Sequence, residues 1–288
     1  MNIKKMIFLL WSVASTLAVA QDKGWDSVEK ILGRKGAVQN DIEKITFPRS
    51  DLNVVVGNVH VEPGLALTSW VAMKRMGSGV MVMGDLVLLE KELPPVEAKL
   101  LSNGLTISAI HNHLINEEPK VMYMHIAGEG DADNIAESIK QALSLTGTLI
   151  NASPSPSVPA ADIDWSGVDS TLGVKGKRVG NLLQIGVPRP EKIMENGMEV
   201  PPYMGMAISI NFQRLGTSSA ITGDFVLLAD EVPEVLKALH ANGITATALH
   251  SHMLNESPRL FFMHFWAVDD PVKLARGLRA ALDKTRRQ

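Results

Sequence analysis

Residues 84–125 read GDLVLLEKELPPVEAKLLSNGLTISAIHNHLINEEPKVMYMH, and residues 223–264 read GDFVLLADEVPEVLKALHANGITATALHSHMLNESPRLFFMH. The two stretches align without a gap at an offset of 139, with 20 identities in 42 positions. Unrelated segments of ordinary composition would share roughly three. Upstream, at an offset of 140, Trp25 matches Trp165 and Pro48-Arg49 matches Pro188-Arg189. The chain therefore contains one unit twice, and this duplication governs the fold.

The repeats divide the 288 residues into a leader, two units and a linker. We predict a first α+β repeat over residues 21–150 and a second over residues 165–288, each with its own histidine cluster. Residues 151–164 begin NASPSPSVP, a Pro/Ser-rich run typical of a semi-rigid linker. Two similar units in one chain favour a pseudo-twofold arrangement.

Hydrophobic spacing predicts the elements of each unit. Those of the first are a short helix from Trp25, strands over 53–61, 66–74 and 79–89, a helix over 94–101, strands over 105–113 and 121–127, and a helix over 131–145. Asn103-Gly104 is a typical helix end. The order strand, helix, strand, strand, helix predicts a ferredoxin-like βαββα core in each repeat.

Residues 1–20 have the pattern of a signal peptide. Lys4 and Lys5 precede a mostly apolar stretch, and Ala18-Val19-Ala20 forms an A-x-A cleavage site. A membrane anchor is the alternative, but the apolar run is short and interrupted by serine and threonine. We therefore expect a soluble periplasmic or secreted protein that has no membrane association after cleavage.

The composition of the chain limits the classes of partner it can bind and the kinds of chemistry it can perform. The net charge is −3, and no basic run with interleaved aromatic residues occurs, which argues against nucleic acid as a partner. The chain has no cysteine, so disulfides, thiolate nucleophiles and thiolate metal ligands are excluded. Any metal must bind to His, Asp or Glu, and the expected partner is a small-molecule ligand or substrate of unknown identity.

Six of the eight histidines fall in two matching clusters. The members are His111, His113, Glu117 and His125 in the first repeat, and His250, His252, Glu256 and His264 in the second. Residues two apart in a strand share a face, and a hairpin centred near residue 118 would place His125 opposite His111. Imidazole with carboxylate suits a divalent transition metal, so each cluster predicts a site for Zn, Mn, Fe or Cu.

Two alternatives remain open at this stage. Histidines held in the core by hydrogen bonds are the structural alternative, although two matching clusters favour metal. If the protein is an enzyme, an open coordination position would activate water or dioxygen, as in a metal-dependent hydrolase or oxidoreductase. If it is a non-catalytic binding protein, the site would be closed. Tyr123 and Glu118 are candidate catalytic residues, because the second repeat has Phe262 and Ser257 in their places.

Four other repeated residues are interpreted more simply. Asp85 and Asp224 fit turn residues that precede a strand, with orientation of a ligand histidine as the alternative. Arg49 and Arg189 either bind an anionic substrate or cap a neighbouring element, and the sequence favours neither.

The pattern GD(F/L)VLL, a helix, HxHxxxExP and a later His, present in both halves, resembles the LppY/LpqO family. The resemblance implies a secreted or lipid-anchored bacterial protein without an assigned reaction, so it implies location and domain type but no activity. This chain lacks the anchoring cysteine of the lipoprotein members, which favours the soluble form.

Overall fold

The computed structural model describes residues 24–150 and 163–286. The predicted signal peptide and all but the last two residues of the predicted linker lie outside these ranges. Among the described residues, the search for a helix long and apolar enough to cross a membrane finds none.

The first half contains four helices and nine strands. The helices are α1 (Asp26–Leu32), α2 (Pro63–Ala66), α3 (Leu93–Ser102) and α4 (Ala132–Leu143). The strands are β1 (Ala37–Gln39), β2 (Ile42–Pro48), β3 (Val55–Val56), β4 (Val59–His60), β5 (Thr68–Met76), β6 (Gly79–Leu89), β7 (Thr106–His111), β8 (Glu117–Glu118) and β9 (Val121–Gly130).

The second half repeats this order, with a 3-10 helix at Pro202–Met204 where the first half has α2. Its helices are α5 (Ser166–Leu172), α6 (Val232–Ala241) and α7 (Pro271–Leu282). Its strands are β10 (Lys177–Val179), β11 (Leu182–Pro188), β12 (Met194–Glu195), β13 (Met198–Glu199), β14 (Ala207–Leu215), β15 (Ser218–Leu227), β16 (Thr245–His250), β17 (Glu256–Ser257) and β18 (Phe261–Asp269).

Each half is built on a six-stranded antiparallel sheet, in the order β1-β2-β5-β6-β9-β7 and its counterpart β10-β11-β14-β15-β18-β16. In the first sheet, β9 lies between β6 and β7, which α3 connects. This is the split βαβ arrangement. The predicted α+β fold with two similar halves and a βαββα core is confirmed.

The sheets lie between two helical layers because their central strands are apolar on both faces. In β6, Val80, Val82, Leu86 and Leu88 pack with residues of α1, α3 and α4. Met81 and Met83, on the opposite face, belong to a core with residues of the second half. The sheets thus face one another, and their facing surfaces form the space in which the histidines lie.

The helices and long strands agree with their predicted positions more closely than the short strands do. Asp131 caps α4 by accepting a hydrogen bond from the backbone of Asn134 at 3.0 Å, and Gly104 ends α3 with a φ of 81°. The predicted strand over 53–61 is instead the pair β3 and β4 around a turn. The sequence interpretation missed β2, whose pattern mixes buried and exposed residues.

Arg49 and Arg189 serve the fold rather than a ligand. Arg49 donates to the carbonyl of Val87 at 2.6 Å and to both carboxylate oxygens of Glu92 at 2.9 and 3.0 Å. Arg189 makes the equivalent bonds to Val226 and Glu231. Of the two interpretations that the sequence allowed, capping of a neighbouring element is correct.

Candidate metal centre between the two halves

The strands place the histidines at equivalent positions in the two sheets. His111 ends β7 and His125 lies in β9, where it pairs with Ala109 on one side and with Asp85 on the other. In the second half, His264 pairs in the same way with Ala248 and Asp224.

The predicted pairing of His111 with His125 is wrong by two residues, because His111 pairs with Tyr123. The prediction assumed a regular hairpin centred near residue 118. Instead, Glu117 and Glu118 leave the hairpin and pair with Val56 and Val55 of β3. That pairing involves residues about 60 positions apart, so local spacing could not reveal it.

The six histidines form one cluster rather than two separate ones. His111 stacks on His250 with 3.6 Å between ring centroids. His113 stacks on His264, and His125 on His252, each at 3.7 Å. Because His113 is equivalent to His252 and His125 to His264, the last two contacts are reciprocal. Such reciprocity defines a pseudo-twofold axis that passes between His111 and His250.

Hydrogen bonds between the halves hold this interface together. Ser108 donates to the carbonyl of His252 at 2.6 Å, and the Asn112 amide donates to the carbonyl of Thr247 at 3.1 Å. The hydroxyl of Thr247 donates in turn to the carbonyl of His113 at 2.6 Å. The backbone next to the histidines of each half is therefore anchored by the other half.

Every clustered histidine has at least one ring nitrogen without a hydrogen-bond partner. Within the described residues, the Nε2 atoms of all six are buried and make no hydrogen bond. His264 Nδ1 lies 2.9 Å from the carbonyl oxygen of Gly223, a contact that fixes the proton on Nδ1 and leaves the lone pair on Nε2. His111 Nδ1 lies 3.3 Å from the carbonyl of Asn112.

Burial keeps the imidazoles neutral. It lowers the pKa of His111 to about 4 and that of His264 to about 3. The pKa values of His113, His125, His250 and His252 are lowered in the same direction by burial and by the neighbouring histidines. Neutral imidazole is the form that binds a metal.

Asp85 and Asp224 lie against the clustered histidines. Asp85 lies 3.6 Å from Nε2 of His113 and 3.9 Å from Nε2 of His125. Asp224 lies 3.6 Å from Nε2 of His252. Burial raises the pKa of Asp85 to about 7, against the opposing charge of Lys44, and raises the pKa of Asp224 strongly. Their interpretation as turn residues is wrong, since both lie within long strands.

The predicted glutamates lie beside the cluster rather than within it. Ligand atoms within 4.8 Å of one another form two groups: His111, His113 and His125, and His111, His250, His252 and His264. Neither group includes Glu117, whose carboxylate accepts from the backbone of Val121 at 3.4 Å. Glu256 likewise accepts from the backbone of Leu260 at 3.0 Å and pairs with Arg259.

The two candidate catalytic residues are placed very differently. Tyr123 is buried, stacks on His113 with 3.4 Å between ring centroids, and donates its hydroxyl to the carbonyl of Ala66 at 3.0 Å. Glu118 is exposed on β8 and is not brought to the histidines.

A cavity of about 560 Å³ between the halves reaches the cluster. Asp85, Asp224 and four of the histidines line its inner end, together with Tyr123. Lys44, Trp70 and Tyr203 line it farther out. The volume suits a small organic molecule.

A family profile described as "Domain of Unknown Function (DUF1259)" matches residues 26–145 and again residues 166–284. The chain belongs to the DUF1259 family. The double match confirms the tandem duplication, with both copies of the histidine cluster inside the matched ranges. No curated protein matches this DUF1259 chain.

Two solved structures show a weak likeness. One is a trimeric bacterial microcompartment shell protein, PduB, at 12% identity and a TM-score of 0.21, covering 87% of this chain and 89% of the other. The second is EtuB from Clostridium kluyveri, at 9% identity and a TM-score of 0.20, covering 86% and 88%. Both TM-scores are too low to inform the fold or function of the DUF1259 protein.

Proposed function

We propose that this protein binds a divalent transition metal at the histidine centre that its two halves form together. Six buried Nε2 atoms without hydrogen-bond partners carry the proposal. Burying so many polar nitrogens is costly unless something coordinates them, and neutral imidazole suits Zn, Mn, Fe or Cu. The candidate ligands are the six clustered histidines, with Asp85 and Asp224 as further ligands or as partners that orient the rings.

The cavity favours a site accessible to a small molecule over a closed structural site. A metal-dependent hydrolase or oxidoreductase is therefore the second candidate function. A bound metal would supply Lewis-acid or redox chemistry there. Tyr123 lines the cavity and remains its candidate catalytic side chain. A non-catalytic role in binding a metal or ligand is the alternative.

The proposed location is the periplasm. It is supported by the basic, apolar and A-x-A pattern of residues 1–20. The resemblance to the LppY/LpqO family agrees with export, and membership in that family remains part of the proposal.

Metal content tests the proposed function. Protein purified from periplasm without added metal should contain a divalent transition metal by elemental analysis. His111 belongs to both groups of candidate ligand atoms, so His111→Ala should lower the metal content of the whole chain by more than half.

His240→Ala is the matched control, because His240 is exposed on α6 and should keep the wild-type metal content. Loss of only half of the metal in His111→Ala would show that the repeats bind metal independently. A wild-type protein that takes up no divalent metal even after loading would overturn the proposal.

A further inference from the structure

The cavity between the halves has two pseudo-equivalent ends that are lined by different side chains. At one end, the Gln184 amide donates to the carbonyl of Gly64 in α2 at 3.0 Å. At the other end, Lys44 occupies the position equivalent to Gln184, and Tyr203 follows Pro202 as Gly64 follows Pro63. Gln184 is therefore engaged in a neutral hydrogen bond, whereas Lys44 places an ammonium at the equivalent position.

The Lys44 ammonium has aromatic neighbours but no acceptor. Its Nζ lies 3.9 Å from the centroid of the Trp70 ring and 5.8 Å from that of Tyr203. Within the described residues it makes no hydrogen bond and no ion pair. Burial lowers its pKa to about 8, against the attraction of Asp85. Asp85 is not within ion-pair distance, and a partly buried cation without a direct ion-pair contact is a costly feature that a bound anion would offset.

The apolar walls of the cavity limit which class of anion it can bind. Ile185, Ile208, Leu65 and Pro202 line the same cavity and supply apolar surface. Pockets of several hundred cubic ångströms, with apolar walls and a few polar groups, bind small organic molecules. A hydrated inorganic ion would leave those apolar walls unmatched.

We infer that this cavity binds a small organic carboxylate, with its charged group on Lys44 and its apolar body directed toward the histidine centre. The carboxylate pairs with the ammonium above the Trp70 ring, and the rest of the molecule fills the space that leads to His113 and His125. The position of the carboxylate rests on Lys44 alone. Only its use as a substrate rests on the proposed metal function.

Benzoate is a suitable probe, and benzamide is its neutral counterpart. Titration calorimetry should show that benzoate binds the full-length wild-type protein at least tenfold more tightly than benzamide does. Lys44→Gln should weaken benzoate binding about tenfold or more, the loss expected for one charge-assisted contact. Lys44→Arg should keep most of the affinity. Lys91→Gln, a change at an exposed lysine outside the cavity, should leave the benzoate affinity unchanged.

Equal benzoate affinity in Lys44→Gln and wild type, equal affinity for benzamide and benzoate, or no benzoate binding to wild type would each overturn the inference. Elemental analysis of the same samples separates the two proposals. Metal without Lys44-dependent benzoate binding overturns only this inference. Lys44-dependent binding in a chain that takes up no metal overturns only the metal function.

Discussion

Glu43 lies in β2 with 1% of its surface exposed, and Glu29 and Arg75 are its charged neighbours. Burial, together with the charge of Glu29, raises its pKa from 4.5 to about 8. The folded protein therefore keeps a proton between these pH values that the unfolded chain releases. Stability that depends on this group is present below about pH 4.5 and is lost as the pH rises toward about 8.

The second repeat has Leu183 where the first has Glu43. Glu43→Leu should raise the free energy of unfolding at pH 8.5 by roughly 1–3 kcal/mol, because it removes a buried carboxylate that carries a charge at that pH. The gain should shrink toward pH 5. Urea unfolding at several pH values measures it, with Glu137→Leu, at an exposed site on α4, as the control. An equal gain at every pH would assign the effect to packing instead.

At the scale of elements, Arg49 joins the end of β2 to β6 and to the start of α3. Its guanidinium is fully buried and pairs with Asp51 and Glu92, and Glu92 also accepts from the backbone of Gly147 beyond α4. Removing one member of a buried ion pair leaves the other charge uncompensated.

Arg49→Met should therefore lower the free energy of unfolding by about 3–5 kcal/mol. Chemical denaturation gives this value, and Arg276→Met, at an exposed arginine of α7, should change it little. If Arg49→Met is as stable as the control, the pair contributes specificity to the fold and not stability.

Some secondary-structure elements can be predicted from the sequence alone, and others cannot. The strand predicted over 79–89 has the same limits in the structure, because a long apolar run with glycine before it is a local signal. The helix α4 is also local, with its cap and its stripe of Ile135 and Ile139. The pairing of β8 with β3 joins distant residues and leaves no periodic signal, which is why the register of His111 was wrong.

At the scale of the molecule, the identity of the clustered histidines was predictable and their joint arrangement was not. Spacing within a repeat places His111, His113 and His125 near one another, and one group of candidate ligand atoms contains these three residues. The spacing of residues along the sequence does not reveal how far apart the two repeats lie in space. The stacking of His111 on His250 could therefore be learned only from the structure. The sequence does not reveal the surroundings of Asp85 for a similar reason, since β9 brings His125 beside it.

A metal held by both halves should stabilise the whole molecule, because a ligand that binds only the folded state adds to its stability. Removing metal with a chelator should lower the melting temperature of the wild type by roughly 2–8 °C. Differential scanning calorimetry measures this shift. The same treatment should leave His111→Ala nearly unchanged, and an equal shift in both proteins would place the stabilising ion elsewhere.

The axis between His111 and His250 has a consequence for how this molecule can vary. In a homodimer of single repeats, every substitution would occur on both sides of that axis at once. A tandem chain escapes this constraint, because each side is encoded separately. Tyr123 in the first repeat corresponds to Phe262 in the second, and Lys44 corresponds to Gln184. One repeat can therefore acquire a substitution that changes the cavity, while the other repeat keeps the residue that the common fold requires.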